Sequence, residues 1–106
     1  MHELSFNDYQ EYAHQTAIYE HDYYPFASLM IEAAEFADLI TKQQLRGDLK
    51  GAWSDELMAE AGDVLWNLAE CLTQYDITLQ DVAEYNIKKL ADRAERGVLQ
   101  GDGGNR

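Results

Sequence analysis

Apolar residues recur every three or four positions along most of this chain, which is the spacing of a helix that buries one face. Residues 29–40 carry one apolar stripe at this spacing, and residues 57–72 carry a second. The alternation of apolar and polar residues that marks a half-buried strand does not occur. The pattern therefore predicts an all-α fold, which we expect to be an antiparallel bundle of four to five helices.

Capping residues and helix breakers divide the chain into four predicted helices, at about 5–20, 25–44, 54–75 and 78–97. Ser5 with Asp8, and Thr78 with Asp81, have the spacing of a capping box that opens a helix. Pro25 suits the first turn of the second helix. We take residues 1–97 as a single helical domain and 98–106 as a C-terminal tail without periodicity.

Composition narrows the classes of function. The chain has 106 residues, of which 46% are hydrophobic, so it forms one small globular domain. Its formal net charge of -12 repels the phosphate backbone and argues against a nucleic-acid partner. A single cysteine, Cys71, excludes an internal disulfide. Without a signal sequence or a long apolar run, we expect a cytoplasmic protein with no membrane partner.

Two pairs of acidic residues stand beside the apolar stripes. Glu32 and Glu35 lie on one flank of the second helix, and Glu60 and Asp63 lie on the corresponding flank of the third. If the two helices form an antiparallel hairpin, the pairs reach the same level, because Glu35 and Asp63 are equally far from position 49. Four carboxylates beside a core repel one another and lose hydration, so a compensating cation is expected.

The chemistry of the acidic residues indicates which cation they would bind. Carboxylate oxygens are the ligands that Mg²⁺ prefers, and Mn²⁺ is a possible substitute. The spacing alone is weak support, since acidic pairs three residues apart also occur at 81/84 and 92/95, where a solvated helix face explains them. The position beside apolar stripes, at matching levels, is what makes the first two pairs candidates for a metal site.

Basic residues are few, and several share one face of the fourth helix. Asn86, Lys89 and Arg93 have the spacing of neighbours on a helix surface. They form either a solvated basic end of the helix, favoured by the helix dipole, or a clamp for phosphate groups. Lys42, in the second helix beyond Glu35, is a further candidate for phosphate contact.

These motifs together resemble the MazG family of nucleoside triphosphate pyrophosphohydrolases. The pattern Glu32-x-x-Glu35, then 24 residues, then Glu60-x-x-Asp63 is similar to the ExxE…ExxD metal motif of that family. The similarity continues through "GDVLWNLAECL", the Asn86, Lys89 and Arg93 helix, and the closing "GDGGNR". It extends from about Tyr9 to the end of the chain. Alanines stand before Glu35, where a glycine is common in the family.

The resemblance implies an enzyme that hydrolyses a nucleoside triphosphate to the monophosphate and pyrophosphate. Glu32, Glu35, Glu60 and Asp63 would hold Mg²⁺, and a glutamate of the first pair, Glu32 or Glu35, would act as general base. Lys42, Asn86, Lys89 and Arg93 would contact the phosphates or the sugar. The fold implied is the all-α type shared with dimeric dUTPases, and the chain is expected to form a homo-oligomer, either a dimer or a tetramer.

Other interpretations of the sequence stay open. The aromatic residues of the first helix, with Gln15, either contact a nucleobase or pack in a core or interface. Trp53, Met58 and Trp66 lie off the main apolar stripe of the third helix and pack on a neighbouring helix or a second subunit. The main functional alternative is a non-catalytic acidic protein that binds a basic partner. A di-iron carboxylate bundle is disfavoured, because it needs Glu-x-x-His pairs on two helices, and positions 35 and 63 are Glu and Asp.

Overall fold

The computed structural model describes residues 3–47 and 54–97, and this part of the chain contains α-helices and no strand. There are four: α1 (Phe6–His14), α2 (Tyr24–Arg46), α3 (Asp55–Thr73) and α4 (Leu79–Arg96). The all-α prediction is confirmed. The predicted tail, 98–106, and Trp53 lie outside the described residues. No helix in the described part is long and apolar enough to cross a membrane.

The predicted extent of the first helix is wrong, since α1 ends at His14 and not near Glu20. Side chains compete for the carbonyl that would continue the helix. The Thr16 hydroxyl donates to the Ala13 carbonyl at 2.7 Å, and Trp66 Nε1 also donates to that carbonyl at 3.3 Å. These bonds and the Trp66 contact with Thr16 Oγ1 at 2.9 Å fix a turn, after which the chain runs irregularly to α2.

The two long helices, α2 and α3, form the main packed pair of the molecule. Pro25 stands in the first turn of α2, as predicted, and Gly47 ends the helix with φ +73°, a left-handed conformation that favours glycine. Ser54 caps α3 by accepting a hydrogen bond from the Leu57 amide at 3.1 Å. This packing places the acidic flanks of both helices side by side.

A single buried side chain, Gln10, joins α1 to the end of α3 and the start of α4. Its Nε2 donates to the Ile77 carbonyl at 3.0 Å and to Thr73 Oγ1 at 3.1 Å. Its Oε1 accepts from the Leu79 amide, the first of α4, at 2.7 Å. Gln10 therefore holds α1 against the connection between α3 and α4.

The core of a single chain is sparse. In the described part of the chain, the buried apolar residues lie mostly on α1, α3 and the start of α4, as at Ala13, Ala69 and Leu79. The α2 stripe faces the core only in part, because Ala33 and Ala37 are exposed. Large apolar side chains stay exposed on every helix. On α2 and α4 they are Tyr24, Phe26, Met30, Ile31, Leu45, Val82, Tyr85, Ile87 and Leu90.

Removing the cap of α4 tests how that helix is held. Thr78 Oγ1 accepts from the Asp81 amide at 2.9 Å, and the Asp81 carboxylate accepts from the Thr78 amide at 3.4 Å. Thr78→Ala is expected to cost about 1 kcal/mol of unfolding free energy, because an amide of the first turn loses its acceptor. Urea unfolding measures this. Thr41→Ala, which removes an exposed mid-helix hydroxyl, is the matched control and should leave the stability within error.

Candidate metal centre

Three carboxylates from two helices converge at one point of the α2/α3 pair. Glu32 on α2 and Glu60 and Asp63 on α3 each offer an oxygen, and these atoms lie within 4.8 Å of one another. Glu60 and Asp63 are three residues apart and so share a helix face, while the packing of α2 on α3 brings Glu32 to their level. We call these three residues the carboxylate cluster. Cluster members Glu32 and Glu60 are partly buried, and Asp63 is exposed.

The carboxylate cluster is electrostatically unfavourable when no cation is bound. Burial raises the pKa of Glu32, and the charges of Glu35, Asp63 and Glu60 raise it further. Burial also raises the pKa of Glu60, followed by the charges of Glu35, Asp63 and Glu56. In the described part of the chain Glu60 Oε2 is buried with no hydrogen-bond partner. A divalent cation would relieve both features, because it would neutralise the repelling carboxylates and take the unpaired oxygen as a ligand.

Glu35 lies beside the carboxylate cluster without belonging to it. It is exposed, and its charge raises the pKa of both Glu32 and Glu60. Together with Glu60 and Lys42 it lines a cavity of about 400 Å³ between α2 and the start of α3. Lys42 Nζ is paired there with Asp38 Oδ2 at 2.9 Å. The structure thus brings Lys42 to the edge of the acidic site.

The predicted phosphate ligands of α4 lie elsewhere in the chain. α4 packs chiefly on α1, whereas the carboxylate cluster belongs to α2 and α3. Asn86 and Lys89 line a separate cavity of about 370 Å³ with Val82 and Tyr85. Arg93 is partly buried, and its Nε has no hydrogen-bond partner in the described residues. Within one chain the structure does not bring these three side chains to the carboxylate cluster.

Comparison with known proteins places this arrangement in a family. The family model for the MazG nucleotide pyrophosphohydrolase domain matches residues 25–98, which include the whole carboxylate cluster. The chain belongs to the MazG family. It is also similar to the Gene 37 protein of Mycobacterium phage L5, with 38% identity over 109 residues that cover 92% of this chain and 96% of the phage protein. No solved structure matches the chain significantly.

The MazG domain holds a second polar group that sequence analysis did not single out. Glu70 is fully buried, and its carboxylate accepts from the Tyr19 hydroxyl at 2.7 Å and contacts His14 Nδ1 at 3.0 Å. Its position was visible in the sequence as an extension of a single helix face. Glu60, Asp63, Asn67 and Glu70 follow the +3, +4, +3 spacing, and we call them the polar face of α3.

Aromatic side chains gather at the Glu70 end of this polar face. The Tyr19 ring stacks on Tyr24, with centroids 5.6 Å apart, and meets Trp66 edge-on at 6.3 Å. These three rings, with Thr16, Ile18 and other residues of the α1–α2 connection, line a cavity of about 450 Å³ that we call the aromatic cavity. Tyr12 and Gln15 of the predicted base-contacting set are exposed and lie outside it.

The di-iron alternative can be examined directly. Glu11 and His14 have the Glu-x-x-His spacing, but they form a single pair on α1. A di-iron bundle needs such a pair on each of two helices. Among the described residues the carboxylate cluster is the one group arranged to hold a metal ion, and it contains no histidine. An all-carboxylate donor set is typical of Mg²⁺ or Mn²⁺ sites.

Lowering the pH should reduce the repulsion within the carboxylate cluster when no metal is bound. Because the pKa values of Glu32 and Glu60 are raised above 4.5, the native state binds more protons than the unfolded chain between that pH and the raised values. The cluster therefore destabilises the native state increasingly as pH rises through that window. Glu32→Gln is expected to have a higher melting temperature than the wild type at pH 7 in EDTA. Below about pH 4.5 the difference should vanish, and a pH-independent difference would contradict the assignment.

Proposed function

We propose that this MazG-family chain is a Mg²⁺-dependent pyrophosphohydrolase that converts a nucleoside triphosphate and water to the nucleoside monophosphate and pyrophosphate. The carboxylate cluster carries this proposal. Its three oxygens within 4.8 Å of one another and its unpaired Glu60 Oε2 fit a cation that would bind a triphosphate. Membership of a family of nucleotide hydrolases supports the class of reaction.

The residues of the cluster have distinct roles in the proposed reaction. Glu32, Glu60 and Asp63 would hold Mg²⁺, which when bound supplies the positive charge that neutralises the phosphate oxygens and polarises the attacking water. We assign the general base to Glu35, because it is an exposed carboxylate that lies next to the cluster. The water oxygen bonds to the α-phosphorus and its proton passes to Glu35. The bond from the α-phosphorus to the bridging oxygen breaks, and pyrophosphate leaves with that electron pair.

Phosphate contacts would come from two directions. Lys42 lies at the edge of the site and would exchange its contact with Asp38 for a phosphate oxygen, since a dianionic phosphate group attracts an ammonium more strongly. Asn86, Lys89 and Arg93 are remote from the cluster within one chain, and we propose that α4 of a second subunit supplies them. The exposed apolar residues of α2 and α4 support such a homo-oligomer.

The oligomeric state is open to a simple measurement. Light scattering at micromolar concentration is expected to give the mass of a dimer or a tetramer, because one chain of 12.1 kDa leaves many large apolar side chains exposed. Tyr85→Lys, on the exposed face of α4, should shift the mass toward one chain while leaving the helical signal intact. A mass of 12.1 kDa for the wild type at this concentration would reject the shared site.

Product identification tests the proposed reaction itself. The purified protein is incubated with each ribo- and deoxyribonucleoside triphosphate and Mg²⁺, and the products are separated by ion exchange. Monophosphate and pyrophosphate in equal amounts are expected. Diphosphate and orthophosphate would reject cleavage at the α-phosphorus. No turnover of any nucleotide by folded protein that binds Mn²⁺ would reject the enzyme and favour an acidic binding protein.

A further inference from the structure

Two buried acceptors on the polar face of α3 lack a hydrogen-bond partner in the described part of the chain. One is Glu60 Oε2, in the carboxylate cluster, and the other is Asn67 Oδ1, two turns further along the helix. Asn67 is only 4% exposed. An unpaired buried acceptor is unfavourable, so native proteins retain one chiefly where something else uses it.

The orientation of the Asn67 amide is determined by its own helix. Asn67 Nδ2 donates to the Asp63 carbonyl at 2.8 Å. Exchanging the nitrogen and oxygen would place two acceptors against each other, so the assignment with Oδ1 unpaired stands. Side chains of a helix lean towards its N-terminus, which directs Asn67 over the turn that carries Asp63. The unpaired oxygen therefore belongs to the end of the polar face that adjoins the carboxylate cluster.

The groups along the polar face follow an order that matches a nucleotide. Glu60 and Asp63, in the carboxylate cluster, come first, Asn67 follows about 6 Å along the axis from Asp63, and Glu70 comes one turn later. Glu70 holds the Tyr19 hydroxyl, and Tyr19 lines the aromatic cavity. With a triphosphate at the cluster and a base at the aromatic rings, the sugar lies at the level of Asn67.

Tyr9 supports this placement. Burial raises its pKa, and the charges of Asp63 and Glu70, which flank Asn67 on the polar face, raise it further. The side chain is partly buried and comes from α1. α1 packs on α3 and contacts Glu70 through His14, so it lies beside the end of the polar face that is assigned to the nucleoside.

We propose that Asn67 Oδ1 accepts a hydrogen bond from a sugar hydroxyl of the bound nucleotide and so aligns the α-phosphorus with the carboxylate cluster. The inference rests on the proposed function, because it assigns the sugar subsite of that reaction. Glu70 is already paired with Tyr19 and His14, which leaves Asn67 as the unpaired acceptor between the phosphate and base ends. The oxygen is buried in the free protein, so the bond forms as neighbouring side chains move on binding.

A cycle of one substitution and one substrate change tests the contact. Asn67→Leu removes the acceptor at nearly constant volume. It is expected to raise KM for a deoxyribonucleoside triphosphate about tenfold, as loss of one hydrogen bond does. Changing the substrate to the 2′,3′-dideoxy form should raise KM by a similar factor in the wild type but not in Asn67→Leu, because both changes delete the same bond. Comparing KM for ribo- and deoxyribonucleotides in the same two proteins tests whether the 2′-hydroxyl makes this contact.

Stability separates this role from a purely structural one. If Oδ1 has no partner in the free protein, Asn67→Leu should leave the melting temperature in EDTA unchanged or raise it. Gln43→Leu is the matched control, since Gln43 Oε1 is also buried and unpaired but lies outside the polar face. Gln43→Leu should also leave the melting temperature in EDTA unchanged or raise it, and it should leave KM unchanged. A marked drop in melting temperature with KM unchanged would overturn the proposal, as would a loss of Mn²⁺ affinity measured by titration of Asn67→Leu.

The sugar contact of Asn67 can be tested even if the protein does not hydrolyse nucleotides. If the wild type binds nucleotides with Mn²⁺ but does not hydrolyse them, the proposed function fails. The same cycle is then carried out on dissociation constants. The sugar contact would be overturned independently if the wild type bound the deoxy and dideoxy forms with equal dissociation constants and also bound the ribo and deoxy forms equally.

Discussion

Glu60→Gln is expected to reduce kcat/KM for nucleotide hydrolysis by more than about 100-fold while raising the melting temperature of the metal-free protein. Loss of an outer partner of a metal ligand typically costs 10- to about 100-fold in affinity or activity, and loss of a ligand should cost more. Stability should change in the opposite direction, because the substitution removes repulsion from Glu35, Asp63 and Glu56. A catalytic site that is strained without its cation behaves in this way.

Three measurements on Glu60→Gln make the test decisive. Steady-state rates give the loss of turnover, titration with Mn²⁺ gives the loss of metal affinity, and thermal unfolding in EDTA gives the gain in stability. Glu95→Gln, an exposed acidic residue of α4, is the matched control and should leave all three unchanged. Full turnover by Glu60→Gln would remove the carboxylate cluster from the mechanism. A lower melting temperature in EDTA would show that Glu60 has a stabilising partner.

Gln10→Ala is expected to lower the free energy of unfolding by about 2–4 kcal/mol, because the buried Leu79 amide and Ile77 carbonyl would lose their partner. For a domain of this size that corresponds to a fall in melting temperature of at least about 8 °C. The effect is large because the Gln10 side chain links α1, the end of α3 and the start of α4. Urea unfolding followed by far-ultraviolet circular dichroism measures it.

The second glutamine of this segment provides the control for Gln10→Ala. Gln15 is exposed at the end of α1, so Gln15→Ala should change stability by less than about 0.5 kcal/mol. An equal, small effect for both variants would mean that water replaces the Gln10 amide without cost. In that case the attachment of α1 would depend instead on the contacts of Trp66 with the Ala13 carbonyl and of Glu70 with His14.

Local signals in the sequence were sufficient for most of the fold. The starts of all four described helices agree with the predictions, which were caps at Ser5 and Thr78, Pro25 in a first turn, and a helix from about 54. Each of these signals acts within one turn. The end of α1 was not predictable in this way. It depends on Trp66, about fifty residues away, whose indole donates to the Ala13 carbonyl.

The candidate site, like the fold, was predictable from the sequence only in part. Helical spacing alone placed Glu60 and Asp63 on one face, and the apolar stripes of two helices predicted that Glu32 and Glu35 would meet them. Which oxygens converge, that Glu35 lies beside the three and that α4 packs away from them were decided by the packing of α2 on α3 and of α4 on α1. Periodicity defines the faces of a helix, but not its neighbour on each face.

By itself, the sequence determined an all-α chain, with helix starts set by residues within one turn, and an acidic motif of the MazG type. Only the tertiary structure decided which polar atoms remain unpaired. Within residues 3–47 and 54–97, Asn67 Oδ1 and Glu60 Oε2 are buried without partners, because the packed helices exclude water and place no donor against them. Hydrogen-bond satisfaction depends on every neighbour in space, and most of those neighbours are distant in sequence.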